Sequence, residues 1–286
     1  MDLTKTALII EGGGLRGIYA SGALHYLMKK ELRFPYVIGV SMGACNAANY
    51  ASWQIERNRI VSINYVNDPR YISYARLITR GELFGMDFIF DTIPNSLVLF
   101  DYKTFGENSL RLITGVTDCR TGETLYYEKR ELGEDYLHVL KASCSLPFMA
   151  KPVHYKGRIL MDGGLSDSIP LGKSIDDGNT KHVLLLTRPR GYRKRPSPFT
   201  PFIYMRYPRL KGLCRAFANR HIGYNETMDL IENLEEEGRV FVIRPSTAIP
   251  VGRSERDQRK LYAAYDKGYN EASLSYEEMR SYLLKE

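Results

Sequence analysis

Residues 36–43 read Tyr36-Val37-Ile38-Gly39-Val40-Ser41-Met42-Gly43, an extended apolar run that ends on a serine held between two glycines. A serine hydroxyl attacks a carbonyl well when it projects from a tight strand-to-helix turn whose small neighbours let the backbone bend and the substrate approach. Gly39 and Gly43 supply that room. The spacing predicts a helix from about Met42 to Arg57, which would aim its free N–H groups and the positive end of its dipole at the carbonyl under attack.

Working outward, Ala7 to Glu11 reads as a short apolar strand and Gly12 to Gly17 as a glycine-rich turn. Ile18 to Lys30 reads as a helix, with Ile18, Leu24, Leu27 and Met28 at helical spacing. Two successive strand-turn-helix units predict an α/β chain with a mostly parallel central sheet and helices on both faces. In such sheets sites form outside the carboxyl ends of the strands, so both glycine turns lie on one edge. Farther on, Leu110 to Thr117 and Thr124 to Tyr127 flank Thr121-Gly122-Glu123 as a hairpin, which makes the sheet mixed. His138 to Ser145 reads as a helix stopped by Pro147, His182 to Thr187 and Val240 to Arg244 as buried strands, and Ser254 to Glu286 as a helical tail.

The first turn, Glu11-Gly12-Gly13-Gly14-Leu15-Arg16-Gly17, places three glycines before a helix and so leaves several backbone N–H groups able to converge on one anion. An oxyanion hole requires this, and one such donor is typically worth about 3 to 4 kcal/mol to a transition state. Met161-Asp162-Gly163-Gly164 ends the apparent strand Arg158 to Met161 on a carboxylate followed by glycines, a candidate base.

In this order and spacing the three motifs resemble the patatin-like phospholipase family, over roughly residues 5 to 187. Ala142-Ser143-Cys144-Ser145-Leu146-Pro147 is similar to the small-residue helix that precedes the aspartate motif there. The resemblance implies a three-layer α/β/α fold and a Ser-Asp dyad needing no histidine. Ser41 is then the nucleophile and Asp162 the base, Gly12, Gly13 and Gly14 hold the oxyanion with Arg16 beside them, and Gly17, Gly39, Gly43, Gly163 and Gly164 are motif glycines. Glu11 stands where many members have Asp, and Gly164 where many have Ala. The implied reaction is hydrolysis of a phospholipid or lysophospholipid ester through an acyl-enzyme, with no metal and no cofactor. For Arg16 alone, orienting the loop, attracting an anionic headgroup and a structural salt bridge all stay open.

Rival readings exist. Gly12, Gly14 and Gly17 also satisfy G-x-G-x-x-G, but Ser41 stands where a dinucleotide fold would place its acidic residue, and no Lys-Ser or Lys-Thr follows as a P-loop requires. An α/β-hydrolase triad would use Ser41, Asp162 and then His182 or His221, although that fold lays down several strands before its elbow. A non-catalytic protein binding lipid or nucleotide is the competing class.

One catalytic domain over residues 1–286 is expected, with a motif-bearing core over 5–187 and a basic segment and helical extension over 188–286. Of the chain's net charge of +7, residues 187 to 221 contribute ten Lys or Arg and no acid, leaving the rest at −3. Interleaved with Tyr192, Phe199, Phe202, Tyr204 and Tyr207, these cations suit peripheral contact with anionic lipid through residues 188–220, while a solvated loop is the plain alternative. No nucleic-acid motif accompanies them. The aromatic segment Tyr65 to Phe105 suits an acyl-chain cleft or cover, with core packing taking about two thirds of its side chains. Four scattered cysteines read as buried thiols, and neither a signal-peptide core nor a bilayer-length apolar run is seen, so a cytoplasmic location is expected.

Overall fold

The computed structural model describes residues 2–285. The chain opens β1 (Thr6–Ile10), α1 (Ile18–Lys29), β2 (Tyr36–Val40) and α2 (Met42–Ala51), which are the two strand-turn-helix units read from the sequence. After a stretch of short helical segments come β3 (Arg111–Asp118), β4 (Thr124–Glu128), α3 (Tyr136–Ser143), β5 (Val153–Tyr155) and β6 (Arg158–Asp162). The last part holds β7 (Lys181–Leu185), the long α4 (Lys211–Glu236), β8 (Val240–Ile243), α5 (Gln258–Leu274) and α6 (Tyr276–Leu284).

The strands form one mixed sheet in the order β5-β6-β3-β2-β1-β7-β8, with β4 also paired to β3. β2, β1, β7 and β8 run parallel to their neighbours, whereas β4 and β6 meet β3 antiparallel and β5 meets β6 antiparallel. Every residue of β1 and β2 is buried, because successive side chains alternate between faces and both faces are covered. Leu8, Ile10 and Val37 pack with Leu24 of α1, Ala44 and Ala47 of α2 and Met279 of α6. Ala7, Ile9 and Ile38 pack with Met228 and Ile231 of α4. Two separate cores on one sheet define a three-layer α/β/α architecture.

Register decides what the sheet places at its carboxyl edge. β2 runs along β3 as far as Val40 opposite Gly115, and the next residue of β3, Val116, is opposite Asp162. β4 occupies the other edge of β3 at both rungs, Gly115 with Tyr126 and Val116 with Leu125. β6 therefore takes over the edge that β2 has just left, and Asp162 arrives one rung beyond Val40, beside Ser41.

Two elements depart from the sequence reading. α2 stops at Ala51 instead of continuing to about Arg57, because Trp53 takes a left-handed backbone with φ of 53° that an α-helix cannot contain. α4 runs through residues read as a basic segment, since its buried stripe of Leu213, Phe217, Tyr224, Met228, Ile231 and Leu234 is diluted by charge on its other faces. No helix among the described residues is long and apolar enough to cross a membrane.

Candidate active site

Ser41 sits between β2 and α2 with φ of 56° and ψ of −129°, a conformation that costs a non-glycine residue about 1 to 3 kcal/mol. Surrounding structure holds it there. The Ser41 amide donates to Ser143 Oγ at 2.8 Å, and Ser143 Oγ donates to the Gly115 carbonyl at 2.8 Å, tying the turn to α3 and β3. A Cβ on Gly39 would lie 2.5 Å from the Gly43 carbonyl oxygen, and one on Gly43 would lie 2.2 Å from that of Ile10, so the elbow closes only with glycine at both places.

Asp162 is 2% exposed and Ser41 5%. The Gly164 amide donates to Asp162 Oδ1 at 2.8 Å, while Oδ2 is buried without a hydrogen-bond partner. Burial pushes the Asp162 carboxyl above its ordinary value, and the neighbouring Ser41 hydroxyl, the Gly164 amide and the charges of Arg220 and Arg253 act against that rise. A carboxylate with one satisfied and one open oxygen can accept a proton that its surface counterparts would refuse. The serine and the carboxylate are close enough to influence each other without a well-aligned bond, as is common in unliganded sites.

The glycine loop crosses the same edge. Ser41, Asp162 and Gly12 to Gly14 line one cavity of about 30 Å³, room for a water molecule or two. The amide of Gly12, however, donates to the Ser168 carbonyl at 3.2 Å and is spent on the scaffold, which corrects the expectation that all three glycines offer free donors. Gly13 and Gly14 enter no such backbone bond among the described residues, and Gly14 has φ of 58°, which glycine adopts freely. Gly17 packs under Met42, Gly163 presses against the Gly115 carbonyl, and Arg16 is buried with its Nη1 3.5 Å from the Val251 carbonyl. Arg16 makes no salt bridge among the described residues. Glu11 is an anchor: Oε2 accepts from the Thr187 amide at 2.5 Å and hydroxyl at 2.9 Å, and Oε1 from Tyr224 at 3.0 Å.

Sequence reasoning missed the side chains that reach the cavity from the last hundred residues: Arg188, Tyr192, Lys194, Arg220, Tyr224 and Arg253. Arg220 left a signal, because it occupies the turn between Phe217 and Tyr224 where the buried stripe of α4 would place an apolar residue. The basic stretch is thus partly turned inward. Arg193 is bound to Asp229 and Glu232 of α4, Lys194 enters the cavity, and of these three neighbours only Arg195 is exposed.

No histidine lines the cavity. His182 is buried in β7 against Ser174 Oγ at 3.1 Å, and burial lowers its pKa to about 4, while His221 faces the Ala218 carbonyl of its own helix. The order Ser41, Asp162, histidine is therefore not matched in space. Cys45 and Cys144, far apart in sequence, bring their sulfurs to 3.5 Å beside the elbow. That contact and burial push the Cys144 thiol up, leaving it protonated at neutral pH.

A second, apolar cavity of about 50 Å³ begins at Met42 and Cys45 and is walled by Tyr71, Ile89, Phe90 and Phe100. Of the aromatic residues read from that segment, Tyr71, Phe88 and Phe100 are buried and Tyr74 is exposed.

The fold is thus a three-layer α/β/α sheet whose carboxyl edge sets a strained serine, on a strand-to-helix turn, beside a buried aspartate. This chain belongs to the patatin-like phospholipase family, whose model matches residues 8–173. Residues 210–284 match a second model, described as a domain of unknown function (DUF6363). Among curated relatives, the chain is 25% identical over 254 residues to the uncharacterized protein YjjU of Escherichia coli, covering 84% of this chain and 68% of that one. It is 24% identical over 194 residues to the probable lipid hydrolase 463L of Invertebrate iridescent virus 6, covering 61% and 65%. It is 24% identical to lysophospholipase nte1 of Aspergillus terreus over 58% of this chain but only 11% of that longer one. VipD from Legionella pneumophila has a similar fold, with a TM-score of 0.56 at 13% identity, covering 97% of this chain and 67% of that one.

Proposed function

We propose that this protein hydrolyses carboxylic esters of phospholipids or lysophospholipids with Ser41 as nucleophile and Asp162 as its base. The observation that carries the reading is the shared edge of β3, where β2 ends at Val40 and β6 delivers Asp162 at the next rung. Family membership and the names of two relatives support a lipid substrate.

In this reading the Ser41 hydroxyl oxygen attacks the ester carbonyl as its proton passes to Asp162 Oδ2, the oxygen that has no other partner. Negative charge gathers on the former carbonyl oxygen and is met by the amides of Gly13 and Gly14 and by the dipole at the start of α2. Collapse expels the alcohol, which takes the proton from Asp162, and leaves the acyl group on Ser41. Water then gives a proton to Asp162 as its oxygen attacks the acyl-enzyme, the fatty acid departs, and the proton returns to the serine.

Treatment of wild type and Ser41→Ala with a fluorophosphonate probe tests this. Wild type should carry a single adduct on the peptide containing Ser41, and the variant none. Equal labelling of both would remove Ser41 from the mechanism.

The apolar cavity at Met42 and Cys45 is the acyl-chain site in this reading. Cys45→Leu should shorten the preferred chain, lowering by about tenfold the kcat/KM ratio of p-nitrophenyl decanoate to butyrate, the scale of one or two methylenes excluded from a hydrophobic pocket. An unchanged ratio would place the chain elsewhere.

A further inference from the structure

Five cationic side chains from separate parts of the chain reach the cavity that holds Ser41. Arg16 comes from the glycine loop, Arg188 and Lys194 from the segment after β7, Arg220 from α4, and Arg253 from the segment before α5. Two carboxylates share the cavity: Glu11 is bound to Thr187 and Tyr224, and Asp162 accepts from the Gly164 amide. Their neighbours Arg190 and Arg193 have carboxylate partners on α4, whereas none of the five has one among the described residues.

What the five touch instead are groups without negative charge. Arg220 Nη2 donates to the Gly164 carbonyl at 3.0 Å, Lys194 Nζ donates to Ser168 Oγ at 3.3 Å and stands 3.7 Å over the Tyr224 ring, and Arg188 stacks 4.4 Å from the Tyr192 ring centre. The Nε donors of Arg16 and Arg220 are buried with no hydrogen-bond partner among the described residues. Burial lowers the pKa of Arg220 to about 10, with repulsion from Arg253 next, and burial followed by Arg220 pulls the Lys194 ammonium well down. Half-buried like charges with unsatisfied donors are costly unless an anion completes them.

We propose that this cavity binds a phosphate-type oxyanion borne by the substrate, so that the enzyme prefers acyl esters with a phosphomonoester headgroup to those with a cationic headgroup. The inference rests on the reading of Ser41 as nucleophile. A phosphomonoester brings a charge of about −1.5 to −2 and three acceptor oxygens, matched to guanidinium forks. A choline headgroup would bring a further cation among five. In a glycerolipid the phosphate and the ester are a few bonds apart, which suits cations gathered around the nucleophile. Arg188, Lys194 and Arg253 stand on non-helical segments, which leaves their side chains free to rearrange around an entering headgroup.

The test compares kcat/KM for oleoyl lysophosphatidate and oleoyl lysophosphatidylcholine in the same neutral micelles, using the full chain. The wild-type ratio should exceed about tenfold, the range of one or two charged hydrogen bonds, and collapse toward unity in the double variant Lys194→Gln, Arg253→Gln. Arg195→Gln, whose side chain is exposed, should leave the ratio alone. Glycerol 3-phosphate should inhibit competitively and glycerol should not. A wild-type ratio at or below one overturns the proposal, as does an equal fall in Arg195→Gln. Thermal stabilisation by inorganic phosphate without headgroup preference would overturn the headgroup assignment in favour of a free-anion site. Fluorophosphonate labelling on the same preparation separates the two readings: a labelled Ser41 without headgroup preference sinks this inference alone. An unlabelled Ser41 sinks the nucleophile, and calorimetric binding of glycerol 3-phosphate, lost in Lys194→Gln if the site is real, then decides the anion site by itself.

Discussion

Asp162→Asn is expected to lower kcat by about 10³-fold while raising the melting temperature at neutral pH, two effects of opposite sign from one atom. The amide is close to isosteric and can still accept the Gly164 N–H at Oδ1, so the loop after β6 keeps its shape. On the proposed dyad, what is lost is the acceptor for the Ser41 proton, and positioned bases of this kind contribute about 10² to 10⁴ in rate. What is gained is relief from a buried negative charge whose Oδ2 has no partner. The sign follows from linkage. Burial raises the folded-state pKa of Asp162 above the ordinary carboxyl value of 3.8, so the folded state holds this proton more tightly than the unfolded one, and the group weakens the fold as pH rises through that interval. Above it the penalty is complete; below 3.8 the carboxyl is protonated in both states and the penalty vanishes. Melting curves of the two proteins should therefore separate at pH 7, with the variant higher, and converge as pH falls toward 4. If Asp162 is the base, as proposed, wild-type kcat/KM should decline on acidification as it is protonated. Near-native turnover in Asp162→Asn would end the dyad assignment, and a lower melting temperature at pH 7 would show that the buried charge does not weaken the fold.

How much of this was legible in the chain depends on the range of the contacts. The elbow was readable because its constraint is local: Gly39 and Gly43 flank Ser41 within five residues, and their missing side chains are needed by that same turn. β6 was readable as a strand ending on a carboxylate, but the adjacency of Ser41 and Asp162 depends on β3 pairing with β4 on one edge and with β2 and then β6 on the other. No pattern in either strand states that register. Gly12 looked equivalent to Gly13 and Gly14 until the Ser168 carbonyl claimed its amide. The cationic side of the site was hidden by its composition. Arg188, Lys194 and Arg220 belong to a run whose charge suggests a wet surface, and only folding shows which guanidiniums turn outward to Asp229 and Glu232 and which turn inward to Ser41. The interruption of the α4 stripe at Arg220 was the one local hint.

Gly268→Val should destabilise the fold by about 3 kcal/mol or more and lower the melting temperature by about 10 °C, although residue 268 lies in a C-terminal helix remote in sequence from every motif. The reason is the crossing of α1 and α5. A Cβ on Gly268 would stand 2.0 Å from the Tyr19 carbonyl oxygen, and one on Gly22 would stand 1.9 Å from that of Tyr265. Both obstacles are backbone, so no side chain can rotate away, and the helices must separate. Separation would open the core formed by Ile18, Tyr19, Leu261, Ala264 and Tyr265 and strain the 2.6 Å hydrogen bond from Tyr19 to Glu271. It would also reach the site, because the segment entering α5 carries Arg253, whose carbonyl accepts the Leu15 amide at 3.1 Å and lies against Gly14. Moving α5 outward loosens the glycine loop, so kcat should fall along with stability. Gly223→Ala supplies the opposite sign on the same scaffold: this exposed position within α4 has nothing within 4 Å of a new Cβ, and the exchange should stabilise by about 0.5 to 1 kcal/mol through lower backbone entropy in the unfolded chain. Denaturant melts of both variants against wild type decide the matter, and a Gly268→Val protein as stable as wild type would mean that α1 and α5 do not meet backbone to backbone.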